Sequence, residues 1–190
     1  MPLPRKIVTP EKALDRLEEL CVRGERCEGE LRAKLRTWQI ASADADSIID
    51  SLRQRRFFDD ARFAHAFVAD KVRFARWGRI KIAMALRAKR VDHDIVSNAL
   101  AEIDERIYAE ALEAVIAAAV RRIGDDAAHT YEGRTRVFRA VVSRGFESEL
   151  AAATIRRHLA DKRDESSHEE ICSLLPDIRC FKCQKRRFGR

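Results

Sequence analysis

The chain repeats itself, and the repeat limits what it can fold into. An offset of 55 residues carries Gly78 to Gly133, Leu86 to Val141, Val91 to Phe146, Ile95 to Leu150 and Leu100 to Ile155. Glycine meets glycine and apolar meets apolar at each anchor. Leu35 and Ile40 keep the spacing of Leu86 and Val91, although the third helix of that earlier segment is displaced by three residues. A period in this range marks stacked helical units whose apolar faces are buried partly against neighbours. The expectation is an all-α fold, an elongated array of three tandem three-helix units at 9–56, 57–103 and 104–160. A flexible arm at 1–8 precedes them and a flexible basic tail at 161–190 follows.

Helix signals support each unit. Thr9 with Pro10 reads as an N-cap and first turn, followed by Leu14, Leu17, Leu20 and Cys21. After a break at Arg23-Gly24, Glu28 to Trp38 carries Leu31 and Leu35, and Ala43 to Gln54 carries Ile48, Ile49 and Leu52. In the central unit Asp59 is the expected cap. Phe58 and Phe63 flank it at the spacing of a hydrophobic staple. Ala64, Phe67, Val68 and Val72 continue the stripe at the helical period, and Phe57, Phe58, Phe63 and Phe67 are expected in the core. Gly78 is expected to end this helix in the left-handed conformation. The next helix would use Ile80, Ala83, Met84 and Leu86 as apolar positions, and Asp92 would cap a third with Ile95, Val96, Ala99 and Leu100. In the last unit Tyr108, Leu112, Ile116 and Val120 mark one face of a helix from Glu105 to Ile123. The polar run from Gly124 to Gly133 reads as a loop. Two helices follow, Val137 to Arg144, ending at Gly145, and Glu147 to Leu159.

Composition agrees with thin helical units. The chain is 46% hydrophobic yet 36% charged, with few Gly and Pro, as expected where small units have much surface for their volume. It has no apolar run of membrane-spanning length, and MPLPRKIVTP lacks the apolar stretch of a secretory signal. Five cysteines, an odd number, argue against a disulfide framework. A cytoplasmic protein is the expectation.

Charge singles out the middle. Between Ser51 and Arg90 stand twelve Lys and Arg against Asp59, Asp60 and Asp70, a net +9 in a chain of net +7. The positive field is therefore local and suits a polyanion or an acidic protein groove. Arg73, Arg76, Arg79 and Lys81 bracket the Gly78 turn, and Arg87, Lys89 and Arg90 follow. These seven are the candidate binding residues; the bland alternative is a solvated face. Trp38 and Trp77 either plug joints between units or stack on bases. Cys180 and Cys183 have the spacing of half a zinc site, with His168 and Cys172 as further candidates, against the alternative of a tail without metal. Cys21 and Cys27 read as structural. No phosphate loop or His-Glu-x-x-His occurs, and His65, His93, His129 and His158 are scattered, so neither an enzyme nor a cofactor is expected.

The run RFFDDARFAHAFVADKVRFARWGRIKIAMALRAKRV resembles the central motif of the RecX family, bacterial regulatory proteins of the RecA recombinase. Asp60, Phe63, Gly78, Ile80, Leu86, Arg87 and Lys89 carry the resemblance. RCEGELRAKL in the first unit and Ser143 to Phe146 in the third are also similar, so the likeness runs over about residues 10–160. Arg90 stands where the family usually has Gly, and the tail is longer than the family leads one to expect. The resemblance implies a non-enzymatic, monomeric modulator that binds RecA–DNA filaments, lodges in their helical groove and limits recombinase activity. It would meet single- or double-stranded DNA through the basic central unit. The competing reading is a sequence-tolerant helical DNA-binding module acting without RecA.

Overall fold

The computed structural model describes residues 8–160, and no strand occurs among them. The helices are α1 (Pro10–Arg23), α2 (Glu28–Thr37), α3 (Ser42–Gln54), α4 (Asp60–Arg73), α5 (Arg79–Ala88), α6 (His93–Ala101), α7 (Glu105–Ile123), α8 (Asp125–Ala128) and α9 (Tyr131–Val142). A further helix, α10, covers 148–160. The arm up to residue 7 and the tail, with His168, Cys172, Cys180 and Cys183, lie outside the described residues. The chain divides into two compact units: everything up to Leu112 together with Ser143–Glu147, and Glu113–Val142 together with the chain from Ser148 on.

In the first unit, α1 and α2 pack on α3. Their shared core is Ala13, Leu17, Leu31, Leu35, Ile48, Ile49, Leu52 and Phe58, with Leu14, Leu20, Cys21 and Trp38 half-buried against it. Each fully buried Leu or Ile contributes about 2 kcal/mol through the apolar surface it removes from water. The next triplet repeats the plan. Helix α6 packs on both α4 and α5, and Phe63, Ala64, Val68, Val72, Ile82, Leu86, Val96 and Ala99 are buried. Side-chain caps start several of the helices, α1, α4 and α6 among them. Thr9 Oγ1 accepts from the N–H of Lys12 at 3.5 Å, Asp59 Oδ1 from Arg62 at 2.9 Å and Asp92 Oδ1 from Asp94 at 2.8 Å. Helix α2 has no such cap of its own at Cys27. Instead the N–H of Glu28 donates to Asp60 Oδ1 at 2.8 Å, so the cap arrives from α4.

Four expectations are corrected. Gly78 is not left-handed; its φ is −81° and it is the N-cap of α5, while the left-handed residue of this turn is Arg76, with φ 51°. The buried face of α5 is Ile82 with Leu86, whereas Ile80 and Met84 are 48% and 64% exposed. Ile80, Ile82, Ala83, Met84, Ala85 and Leu86 make this helix apolar nearly all round, so spacing alone does not select its inner face. Phe58 and Phe63 are core residues, but Phe57 and Phe67 are half-buried beneath the cations of Arg55 and of Lys71 and Lys89. Finally, Gly124 to Gly133 is not simply a loop, because it contains α8 and the first turn of α9.

The second unit buries Ile116, Ala119, Val120, Ala128, Val137, Val141, Ala151, Ile155 and Leu159. Glu113 accepts from Arg157 at 2.8 Å and lies 3.0 Å from His158 Nδ1.

Candidate functional site

From Lys71 to Val91 the chain carries Lys71, Arg73, Arg76, Arg79, Lys81, Arg87, Lys89 and Arg90 and no carboxylate at all. Any neutralisation must come from elsewhere in the chain, and it comes selectively.

Arg79 is the most thoroughly engaged. Its guanidinium pairs with Glu105 and, at 3.3 Å, with Glu147, and lies 4.0 Å over the Tyr108 ring. The backbone N–H of Arg79 donates to the Tyr108 hydroxyl at 2.9 Å, and that hydroxyl donates to Glu147 Oε2 at 2.7 Å. Burial pushes the Tyr108 phenol well above its ordinary pKa. The neighbouring Glu147 carboxylate adds to the rise and the Arg79 N–H opposes it. Tyr108 is thus fixed as a neutral donor.

The same place brings backbone against backbone. Gly78 N–H donates to Arg144 O at 2.9 Å and Ile80 N–H to Gly145 O at 3.0 Å. A Cβ on Gly78 would stand 2.1 Å from Gly145 O. Gly78 therefore serves close approach, and Gly145, with φ 87°, serves both approach and turn.

Lys89 is committed to a second joint, between α1–α3 and α4–α6. Its Nζ pairs with Glu30, and its carbonyl lies so close to Gly29 that a Cβ there would stand 1.7 Å away. Arg62 pairs with Glu25 at 2.7 Å beside it. Arg53 and Arg32 both bond Glu28. Burial opposes ionisation of Glu28, but the two guanidinium bonds outweigh it and hold its carboxyl below the usual range. Asp60 moves the other way. Burial raises it, although the N–H it accepts from Glu28 works against the rise. Cys27 is buried here and Cys21 half-buried nearby; both thiols are free and burial pushes both up, which suits structural rather than reactive cysteines.

Four of the candidate cations remain exposed, without a salt bridge among the described residues: Arg73, Arg76, Arg87 and Arg90. Lys81 is half-buried, 4.6 Å over the Trp77 ring. Arg76 and Arg90 follow the ends of α4 and α5 at φ 51° and 62°. Arg90 thus takes the left-handed conformation that glycine adopts without cost. Arg73 borders a cleft of about 290 Å³ with Val72, Asp104 and Ile107, on whose wall His65 Nδ1 lies 3.0 Å from Glu102. The exposed Phe74, Ile80 and Met84 add apolar surface to α5 and the turn before it. Trp38 packs on the α1–α3 core beneath Arg16; Trp77 lies under Lys81 and Lys71.

Sequence reasoning placed the seven cations but missed the partners, Glu30, Glu105, Tyr108 and Glu147. One signal was present: Tyr108 is the single hydroxyl-bearing residue in an otherwise aliphatic stripe, and a buried phenol requires a partner. Among the described residues no group of three or more His, Cys, Asp or Glu is placed to hold a metal. No helix there is long and apolar enough to cross a membrane.

Fold and surface together define a class: a set of helical triplets joined by ion pairs, with an arginine-rich central face. Comparison with known proteins then specifies it. A family model described as "RecX, second three-helix domain" matches residues 59–100. "Regulatory protein RecX" of Mycolicibacterium smegmatis is 26% identical over 163 residues, covering 82% of this chain and 86% of that one. The protein of the same name in Clostridium beijerinckii is 23% identical over 140 residues, covering 74% of this chain and 65% of that protein's length. Among solved structures, the crystal structure of RecX from Lactobacillus salivarius has a TM-score of 0.65 at 19% identity, over 80% of this chain and 96% of that one. A crystal structure of regulatory protein RecX scores 0.67 at 20% identity, over 80% and 71%. The chain is thus similar in sequence to RecX regulatory proteins over about four fifths of its length, and it shares the fold of the RecX crystal structures.

Proposed function

We propose that this chain regulates the RecA recombinase by binding RecA–DNA filaments from the cytoplasm and inhibiting their ATPase, strand exchange and the coupled repair and SOS activities. One observation carries the surface assignment. Arg73, Arg76, Arg87 and Arg90 stay exposed and without a salt bridge among the described residues, in a stretch with no carboxylate, while Arg79 and Lys89, equally basic in sequence, are drawn into internal pairs. Unneutralised guanidiniums suit phosphates and carboxylates, which they bind through two parallel N–H bonds. Lys81 contributes from beside Trp77. The protein acts as a monomer, without a cofactor and without chemistry of its own. The repeat boundaries 9–56, 57–103 and 104–160 belong to the same proposal.

The test is the ATPase rate of RecA from the same organism on single-stranded DNA, with this protein added from sub-stoichiometric to equimolar amounts. The expected result is a dose-dependent fall, reduced several-fold in an Arg76→Glu, Arg87→Glu variant of unchanged helicity. An unchanged ATPase alongside DNA binding by the protein alone would overturn the reading in favour of a DNA module acting without RecA.

A further inference from the structure

The second unit holds a basic cluster of its own. Arg122, in the last turn of α7, and Arg136 and Arg139, on α9, line one concavity with Ile123 and Ala140. No carboxylate lines it. All three arginines are exposed, and none has a salt bridge among the described residues. Arg136 and Arg139 are three apart on one helix, so their side chains are neighbours. Glu132 stands four residues before Arg136, at ion-pair spacing, yet no pair between them forms.

Three arginines lining one hollow concentrate positive potential there, and an anion seated among them would neutralise it. Ile123 and Ala140 cannot supply that charge, so it comes from outside. Guanidinium is planar and weakly hydrated, and its fork of donors matches the oxygens of a phosphate. The site is open rather than enclosed, and Tyr131, 79% exposed, stands two turns upstream of Arg139 on α9. An exposed aromatic on the same helix as a cationic hollow is a pairing that suits single-stranded nucleic acids, which stack bases on a ring while cations hold the backbone a nucleotide or two away.

We propose that Arg122, Arg136 and Arg139 form a phosphate-binding site that takes the backbone of a single-stranded nucleic acid, with Tyr131 stacking on a base. This site is additional to the central basic face, and its test does not depend on RecA. Binding of the full-length protein to a fluorescent oligothymidylate is measured by anisotropy over a range of NaCl, for the wild type and for Arg122→Ala/Arg136→Ala/Arg139→Ala. Losing about three phosphate contacts should lower the slope of log affinity against log salt by about 2. Affinity at low salt should fall at least about tenfold. Tyr131→Ala should weaken binding without changing the slope. Arg136→Lys/Arg139→Lys, which keeps the charge but not the fork, should hold the slope and lose only part of the affinity. Circular dichroism confirms that each variant is folded.

A triple variant that binds with wild-type affinity and slope overturns the site, as does a wild type that does not bind the oligomer. If inorganic phosphate or ATP displaces the oligomer at concentrations matching its own affinity, the site takes small phosphates and the nucleic-acid assignment is overturned. If RecA ATPase is unaffected by the wild type, the regulatory reading fails while these binding results stand by themselves.

Discussion

Two joints in the first compact unit are built from the same ingredients and held by different forces. At the joint between α1–α3 and α4–α6, Gly29 admits the carbonyl of Lys89. Across it run the side-chain pairs Lys89 with Glu30 and Arg62 with Glu25, plus the cap that Asp60 lends to α2. At the start of α5, Gly78 admits the backbone of Gly145. There two main-chain hydrogen bonds and the buried Tyr108 hydroxyl make the connection, joined by the Arg79 guanidinium and by Arg144, which donates to Ala75 O at 3.2 Å. The first joint leans on partly exposed charge, which water and salt weaken. The second leans on buried hydrogen bonds, which they scarcely reach. Arg79 and Lys89 are therefore held in place by carboxylates far away in sequence, whereas their equally basic neighbours Arg76, Arg87 and Arg90 stay at the surface.

The largest test of this contrast removes the close approaches. Gly78→Ala and Gly29→Ala each drive a Cβ into a backbone carbonyl that has nowhere to yield, and each should cost about 3 kcal/mol in urea unfolding. A loss below about 1 kcal/mol would mean that the joints can slide apart cheaply.

Next, Tyr108→Phe should cost about 2 kcal/mol by stranding the Arg79 N–H and one oxygen of Glu147, and the loss should be the same in 0.1 M and 1 M salt. Salt dependence there would erase the distinction between the joints.

Asp60 separates cap from charge. Asp60→Ala should cost about 1 kcal/mol through the uncapped α2. Asp60→Asn keeps an oxygen for the Glu28 N–H, so it should be nearly neutral at pH 7.

The smallest effect is a matter of pH. The folded-state pKa of Glu28 is depressed, so its contribution is present above the unfolded value of 4.5 and is lost as pH falls through the folded value. Asp60, raised from 3.8, has the opposite sign: its contribution is present at low pH and is lost as pH rises through the raised folded value. Stability against pH should therefore be shallower on the acid side in Glu28→Gln, and steeper there in Asp60→Asn, both read by thermal melts between pH 3 and 7.

Most of the fold was legible because caps and stripes act locally. Asp59, Asp92 and Thr9 do what their positions announce, and Tyr108, Leu112, Ile116 and Val120 are buried as their spacing requires. Local signals failed where several faces were equally apolar, as on α5, and where a glycine had two possible uses. Gly78 read as a left-handed terminator, yet its role is proximity to Gly145, a residue 67 positions on that no local pattern connects to it. The candidate surface was half legible for a related reason. Positive charge is visible in composition, but whether it is already spent depends on Glu30, Glu105 and Glu147, which only folding brings near.

The turn geometry of Arg76 and Arg90 has a corollary. Each occupies a backbone conformation that a glycine would enter about 1 kcal/mol more comfortably, so replacing either with Gly is a ready route to a more heat-tolerant chain. That route also deletes an exposed guanidinium. Thermal robustness and a charged surface thus place opposite demands on the same two positions.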